Sequence, residues 1–270
     1  MTNSVKPATP DIGIVVLSCD KYSDLWPVFF ELFFRFWPDC PFPVYLFANR
    51  QSFADQRVHT VLSGDDPDWS SSVKACLRQI NHRYVWLFFD DVMLDRPVQA
   101  AKISRLVDFV VDKDPSYLRF RRFPKPDTRK SRDFGRCEEK SLYRTSVLAI
   151  WKRDVLLDLL REGESAWVFE HNSLARAEKY PDFYGVYEDY LPYIHAVERG
   201  LWTQPAALKV NRLGVEADLA CRPVMTAAQH RQYLKSSLRT YIFNRTPSKL
   251  KPFLIALAGL SRKIVGRALG

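Results

Sequence analysis

The 270-residue chain has no run of about 18 or more apolar residues, so no membrane-spanning helix is expected of it. The two nearest candidates fail: LWPVFFELFFRFWP is broken by Glu31 and Arg35, and PFLIALAGL is too short. The leading MTNSVKPATPD also lacks the apolar stretch of a secretory signal, which gives a cytoplasmic expectation. Cysteine is scarce: Cys19, Cys40, Cys76, Cys137 and Cys221 are odd in number and scattered, with no C-x-x-C pair. That spacing speaks against a zinc ribbon or a dithiol redox centre and fits reduced structural thiols. No G-x-S-x-G, G-x-x-x-x-G-K-[ST] or G-x-G-x-x-G string is present, so a hydrolase elbow, a P-loop and a dinucleotide fold have no local signal. Nor does an H-x-x-x-H pair support zinc through His171 or His195.

Acidic residues are missing from the last part of the chain. From Arg222 onward there are ten Lys or Arg and no Asp or Glu, while the preceding residues hold 30 basic and 31 acidic side chains. A neutral body over 1–220 and a basic, helical extension over 221–270 follow, with an anionic surface as the expected partner of the extension. Over 250–269, Leu250, Phe253, Leu254, Leu257, Leu260, Ile264, Val265 and Ala268 fall on one helical face, with Lys251, Arg262, Lys263 and Arg267 off it. This is the pattern of a helix lying on an anionic membrane surface, peripheral to the inner face of the cytoplasmic membrane; a helix packed on the body is the alternative. No nucleic-acid motif is present, so nucleic acid is not an expected partner.

What the chain does contain is 47% hydrophobic and 14% aromatic residues, enough for a globular core. IGIVVLS (12–18) reads as a strand, CDKYSD as a polar turn, and 25–37 as an apolar helix. PVYLFAN (43–49) and RVHTVLS (57–63) are two more strands. GDDPDWSSS then offers Asp68 and Ser70 as helix caps before VKACLRQINHR, and YVWLFF (84–89) is a strand that ends on Asp90 and Asp91. Farther on, 100–114 reads as a helix, SYLRFRRF (116–123) as an alternating strand, PKPDTRKSRDFGRCEEK as a polar loop, and 143–165 as a strand running into a helix. Such alternation predicts an α/β fold with a parallel sheet flanked by helices.

A continuous apolar strand is covered on both faces, and ligands of open α/β sheets bind beyond the carboxyl ends of such strands. Two adjacent carboxylates there repel and lose solvation unless something compensates. A divalent cation bridging to a diphosphate would do so, and hard oxygen ligands suit Mg²⁺ or Mn²⁺. The alternative is that Asp90 and Asp91 cap the turn before Pro97. At the helix start from Trp69, Lys74 and Arg78 share one face and could hold a diphosphate, or could simply be solvated.

The order VVLSCDKYSDLW, FANR, DWSSSVKACL and LFFDDVML resembles the nucleotide-sugar-binding half of GT-A fold glycosyltransferases. With IWKRDVLLDLLREGESAWVFE, it looks like a group of bacterial enzymes of capsule and lipopolysaccharide (O-antigen) assembly, over roughly 10–215. The resemblance implies a GT-A-like, Rossmann-like mixed sheet and an inverting transfer of a hexosyl group. The sugar would move from a nucleotide-sugar, a UDP-sugar, to a hydroxyl of a glycan or lipid-linked acceptor in surface polysaccharide synthesis. Carried onto this chain, Cys19, Asp20 and Lys21 would hold the base, with Asn49 and Arg50 nearby. The Asp-x-Asp signature, compressed here to DDV, would make Asp91 the Mn²⁺ or Mg²⁺ ligand and Asp90 the ribose-side partner. Inversion needs a base for the acceptor hydroxyl, and a carboxylate beside aromatic rings suits it. GESAWVFEHNS offers Glu170 with Trp167 as a sugar platform, and YGVYEDYLPY offers Asp189 in reserve, beside Glu188. The bland alternatives are a capping Glu164, a core Trp167, and Glu170 paired with Arg176 or Lys179. Two rivals stand beside this reading: a nucleotidyltransferase with two-metal chemistry, and a non-catalytic membrane-associated adaptor.

Overall fold

The computed structural model describes residues 11–65, 67–138, 145, 148–246 and 250. The chain opens with β1 (Ile12–Leu17), α1 (Trp26–Phe36), β2 (Val44–Ala48), β3 (Val58–Leu62), α2 (Trp69–Leu77) and β4 (Tyr84–Phe89). Next come the short β5 (Val92–Leu94), α3 (Ala100–Lys113), β6 (Tyr117–Arg119), β7 (Thr128–Arg129), β8 (Phe134–Arg136), β9 (Ala149–Lys152), α4 (Arg153–Leu159) and α5 (Ala166–Arg176). The described part ends with β10 (Phe183–Val186), β11 (Tyr193–His195), β12 (Val197–Glu198), β13 (Leu201–Trp202), α6 (Gln204–Arg212) and α7 (Ala227–Arg245).

Nine strands form one mixed sheet in the order β3-β2-β1-β4-β9-β6-β10-β8-β7. The pairs β2–β3, β1–β2 and β1–β4 are parallel, β9 runs antiparallel between β4 and β6, and β10 returns parallel to β6. The α/β class expected from the sequence is the class observed. The chain travels outward from β1 through β2 to β3 and then comes back to β4 on the other side of β1. That reversal makes the carboxyl ends of β1 and β4 the switch point of the sheet, the place where open α/β sheets leave a crevice for a ligand.

The uninterrupted apolar run of β4 is explained by cover on both faces. Trp86 and Phe88 pack with Ile14 and Val16 under α1 and α3, where Phe33 meets Phe88 edge-on at 5.8 Å and Trp37 meets Trp86 at 5.7 Å. Val85 and Leu87 pack with Val15 and Leu17 against α2, α4 and α5, through Val73, Leu156 and Phe169 among others. Each large side chain so buried stabilises the fold by about 1.5–3 kcal/mol, which fixes β4 in register with both neighbours.

Two local expectations changed. The alternating 116–123 segment keeps only Tyr117–Arg119 as strand, because the chain leaves the sheet towards Pro124. The polar loop that follows contains the small β7–β8 pair, Thr128 opposite Arg136. Among the described residues, no helix is long and apolar enough to cross a membrane. The amphipathic helix expected over 250–269 lies outside the described residues, apart from Leu250.

Candidate active site

Residues that leave β1 and β4 at their carboxyl ends meet at once. Leu17 is level with Phe89, so Ser18 stands beside Asp90. The Trp26 indole Nε1 donates to Ser18 Oγ at 2.7 Å, and Ser18 Oγ donates in turn to Asp90 Oδ2. Ser18, Trp26 and Asp90 form one relay because strand alternation puts Ser18 and Asp90 on the α1 side, where the first turn of α1 presents Trp26. Asp90 is buried. Burial pushes its carboxyl up to about 8, against the opposing pull of the Ser18 hydrogen bond, and the like charge of Asp91 adds to the rise. Asp91 is half-buried, and burial lifts it to about 6, with the charge of Glu198 in support. Burial thus raises both carboxyls of the pair, Asp90 the more strongly.

Glu198 reaches this place by a backbone route. The carbonyl of Asp91 accepts from the Ala196 N–H at 2.7 Å, after β5 and β11 have paired antiparallel with His195 opposite Val92. Two residues on, Glu198 begins a two-residue hairpin to β13, with Arg199 and Gly200 both at positive φ (51° and 78°). Such a turn matches the right-handed twist of its strands and holds Glu198 in place. Burial, with the positive charge of Arg121 in support, holds the His195 imidazole down to about 4 and so favours its neutral ring.

Arg222 closes the site from the far end of the body. Its Nε and Nη2 grip both oxygens of Asp24 at 2.8 Å, with side chains only 9% and 10% exposed. Nη1 donates to the Gly200 carbonyl and Nη2 to that of Lys21, each at 3.3 Å, and the guanidinium lies 4.5 Å from the centre of the Tyr22 ring. One side chain thus ties the loop after β1 to the hairpin that carries Glu198, and its charge eases both Asp90 and Asp91 towards ionisation. The charge count grouped Arg222 with the basic extension, whereas its guanidinium is built into the body.

The residues expected around a nucleotide are brought together, in a structural clasp. Asp20 Oδ1 accepts from the backbone N–H groups of Asn49 (3.0 Å), Arg50 (3.1 Å) and Gln51 (3.2 Å), and the Asp20 N–H donates to Asn49 Oδ1 at 3.0 Å. Consecutive amides curled around one carboxylate make an anion nest, here filled by the chain itself. Lys21 and Arg50 are exposed beside it, Arg50 paired with Asp65, and Cys19 is half-buried at the start of the 20–25 turn.

Lys74 and Arg78 lie elsewhere. Lys74 is in the last turn of α2 and Arg78 caps its C-terminus, so neither stands at the end where amide donors point outward. Those donors are also taken: Asp68 accepts from the Ser71 N–H at 2.9 Å, and the Ser70 N–H donates to the Glu164 carbonyl at 3.1 Å. The start of α2 therefore has its anion already.

Of the two carboxylates expected to act as base, Glu170 is apart from the pair. Glu170 sits on α5, which packs on the face opposite Asp90, and its carbonyl accepts from Thr145 Oγ1 at 3.0 Å. Its charge bears on the hydroxyl of Tyr117, a residue level with Trp151 and so with Val85. Val85 is five residues before Asp90, roughly 16 Å at about 3.3 Å per residue. Arg176 pairs with Glu164, at 2.7 and 2.9 Å, while Lys179 pairs with Asp158. Trp167 is 83% exposed, which removes the core alternative. Asp189 follows β10 and is held by the Arg122 Nε at 3.0 Å, with Lys102 on its carbonyl. Glu188 faces Lys102 at 3.4 Å.

Among the described residues no group of three or more His, Cys, Asp or Glu forms a metal cage. Asp90 and Asp91 fit a hard cation in another way: Mg²⁺-type sites use one or two carboxylates and take their remaining oxygens from phosphate and water. Two adjacent carboxylates whose charged forms are disfavoured by burial are also a pair that a cation would relieve.

No family model matches the chain, and no curated protein does. Solved structures similar to it include S. aureus TarS 1–349, at 10% identity and TM-score 0.48 over 68% of this chain and 59% of that one, so the chain spans less than two thirds of it. TarS 1–349 in complex with UDP aligns at 13% identity and TM-score 0.48, over 91% of this chain and 78% of that one. The same protein in complex with UDP-GlcNAc aligns at 12% and 0.47, over 84% and 71%. The strand order and the site geometry stand independently of these likenesses.

Proposed function

We propose that the crevice between β1 and β4 binds a nucleotide-sugar, a UDP-sugar, and passes its hexosyl group with inversion to a hydroxyl of a glycan or lipid-linked acceptor in bacterial surface polysaccharide synthesis. The observation that carries this reading is the pair Asp90 and Asp91 at the switch point, Asp90 buried and Asp91 half-buried, with burial raising both carboxyls. Asp91, the more accessible of the two, would hold Mn²⁺ or Mg²⁺, with Asp90 completing the protein's share of ligands. The cation would offset charge on the departing diphosphate.

Everything else falls to the chain's own groups. The relay from Trp26 through Ser18 fixes the Asp90 carboxylate, and the Asp20 clasp holds the 18–25 and 49–51 loops as the walls of a nucleotide pocket. A base must meet the acceptor beside the donor's anomeric carbon, and Glu198 is the carboxylate carried to Asp91 by the β5–β11 pairing. We assign it the part that the sequence suggested for Glu170 or Asp189. A two-metal nucleotidyltransferase is not favoured, because Asp24 is committed to Arg222 and no three-carboxylate cage is present among the described residues.

Thermal-shift titration with UDP-, GDP-, CMP- and dTDP-sugars, with and without Mn²⁺, tests the donor. Stabilisation by UDP-sugars that weakens in Asp91→Ala is expected; no shift with any nucleotide would reject the reading. Glu198→Gln should keep donor binding and lose turnover by about 10²–10⁴-fold, while Glu170→Gln and Asp189→Asn keep theirs.

A further inference from the structure

α7 runs for nineteen residues, Ala227–Arg245, about 28 Å of helix, and starts from a complete capping box between Thr226 and Gln229. Its half-buried residues are His230, Tyr233, Ser237 and Phe243. Next to His230 around the helix it exposes Leu234 (49%), Leu238 (58%), Tyr241 (51%) and Ile242 (51%), spaced as one stripe at helical intervals. Arg231, Lys235 and Arg239 recur every four residues along the edge of that stripe, all exposed. Arg245 closes it, its guanidinium 4.3 Å from the Tyr241 ring centre and 4.6 Å from that of Phe123.

Water favours covering such a stripe, and the charges say with what. No Asp or Glu occurs from Leu219 to the end of the chain, so the cations of α7 have no local counter-charge on their own helix. A second copy of the same face would set cations against cations. A surface with apolar depth and fixed negative charge satisfies both features together.

We propose that the face of α7 bearing Leu234, Leu238, Tyr241 and Ile242, edged by Arg231, Lys235 and Arg239, docks the protein on an anionic phospholipid surface. The helix lies flat, its apolar stripe at the headgroup–acyl boundary and its cations among the phosphates. The inference stands on α7 alone and does not depend on the donor reading. It places the docking surface in a helix that the sequence pattern over 250–269 did not include.

The test is co-sedimentation of the full chain with vesicles of phosphatidylcholine alone and of phosphatidylcholine with phosphatidylglycerol. Binding should need phosphatidylglycerol and fall as salt is raised. Leu238→Ser with Ile242→Ser should weaken it about tenfold or more through lost apolar burial, and replacing Arg231, Lys235 and Arg239 by Gln should weaken it and flatten the salt dependence. Both variants should unfold at the wild-type temperature, since these side chains are exposed. Vesicle binding unchanged in both variants would overturn the proposal. So would an α7-dependent dimer in light scattering, or retention of RNA in place of vesicles.

Discussion

Replacing Asp90 by Asn should make the metal-free protein more stable in alkaline buffer and leave it nearly unchanged in acid. Asn keeps the shape and, through Oδ1, the acceptor for Ser18, so the relay from Trp26 survives while the charge goes. The sign follows from burial. The folded carboxyl titrates at about 8 and the unfolded one near the ordinary 3.8, so below both values each state is protonated and no difference exists. As pH rises between them the unfolded chain ionises while the folded one stays protonated, and stability falls until the folded group ionises too. The gap of about four pKa units, at about 1.4 kcal/mol each, sets a ceiling on the order of 5 kcal/mol, fully expressed above pH 8. For a domain of this size that corresponds to about 10 °C in Tm. The assay is thermal and urea unfolding of both proteins in EDTA from about pH 4 to about pH 9. Parallel curves, with the same gap at every pH, would show that Asp90 is solvated and that the buried-pair account of the site is wrong. Added Mn²⁺ should narrow the alkaline gap by stabilising only the wild type, which alone keeps both carboxylates for the cation.

Arg222→Met should cost about 3–5 kcal/mol in urea unfolding, because Asp24 is then left buried without its partner. Arg222→Lys should recover part of that, and a loss below about 1 kcal/mol for the Met variant would mean the pair is solvated. Asp20→Asn should cost about 2–3 kcal/mol by turning charge-assisted hydrogen bonds into neutral ones, and should speed hydrogen exchange at the amides of Asn49, Arg50 and Gln51; unchanged exchange there would refute the clasp.

The parts of this molecule that are legible in the sequence are those whose signal is local. The run Tyr84–Phe89 announces a strand covered on both faces, and the alternation before it announces a parallel sheet. Position then follows from topology, so the residue pattern alone places Asp90 and Asp91 at a strand end. Side-chain roles are less legible where one group has two possible partners. Asp68 and a diphosphate compete for the same N–H groups at the start of α2, and a carboxylate three residues from its donor, already tethered, wins over a ligand that must be bound from solution. Periodicity puts Lys74 and Arg78 on one face but does not say at which end of the helix they stand. Asp20 is a similar case: its carboxylate serves three backbone amides, which no spacing rule in the sequence distinguishes from a ligand contact.

Arg222 and Glu198 are hidden for a different reason. Arg222 meets Asp24 across 198 residues of chain, and Glu198 meets Asp91 through a pairing of two three-residue strands, so neither leaves a periodic or compositional trace. Glu170 is attractive because aromatic residues flank it in sequence, yet a base is defined by what it faces in the fold. The contact from Arg222 to the Gly200 carbonyl gives these two long-range features a common logic. Gly200 and Arg199 make the turn that aims Glu198, so the guanidinium that neutralises Asp24 also fixes the hairpin of the proposed base. Loosening Arg222 should therefore disturb the loop after β1 and the position of Glu198 together. Arg222→Lys, which keeps the charge but cannot span Asp24 and Gly200 with a planar fork, should lower turnover more than it lowers donor affinity.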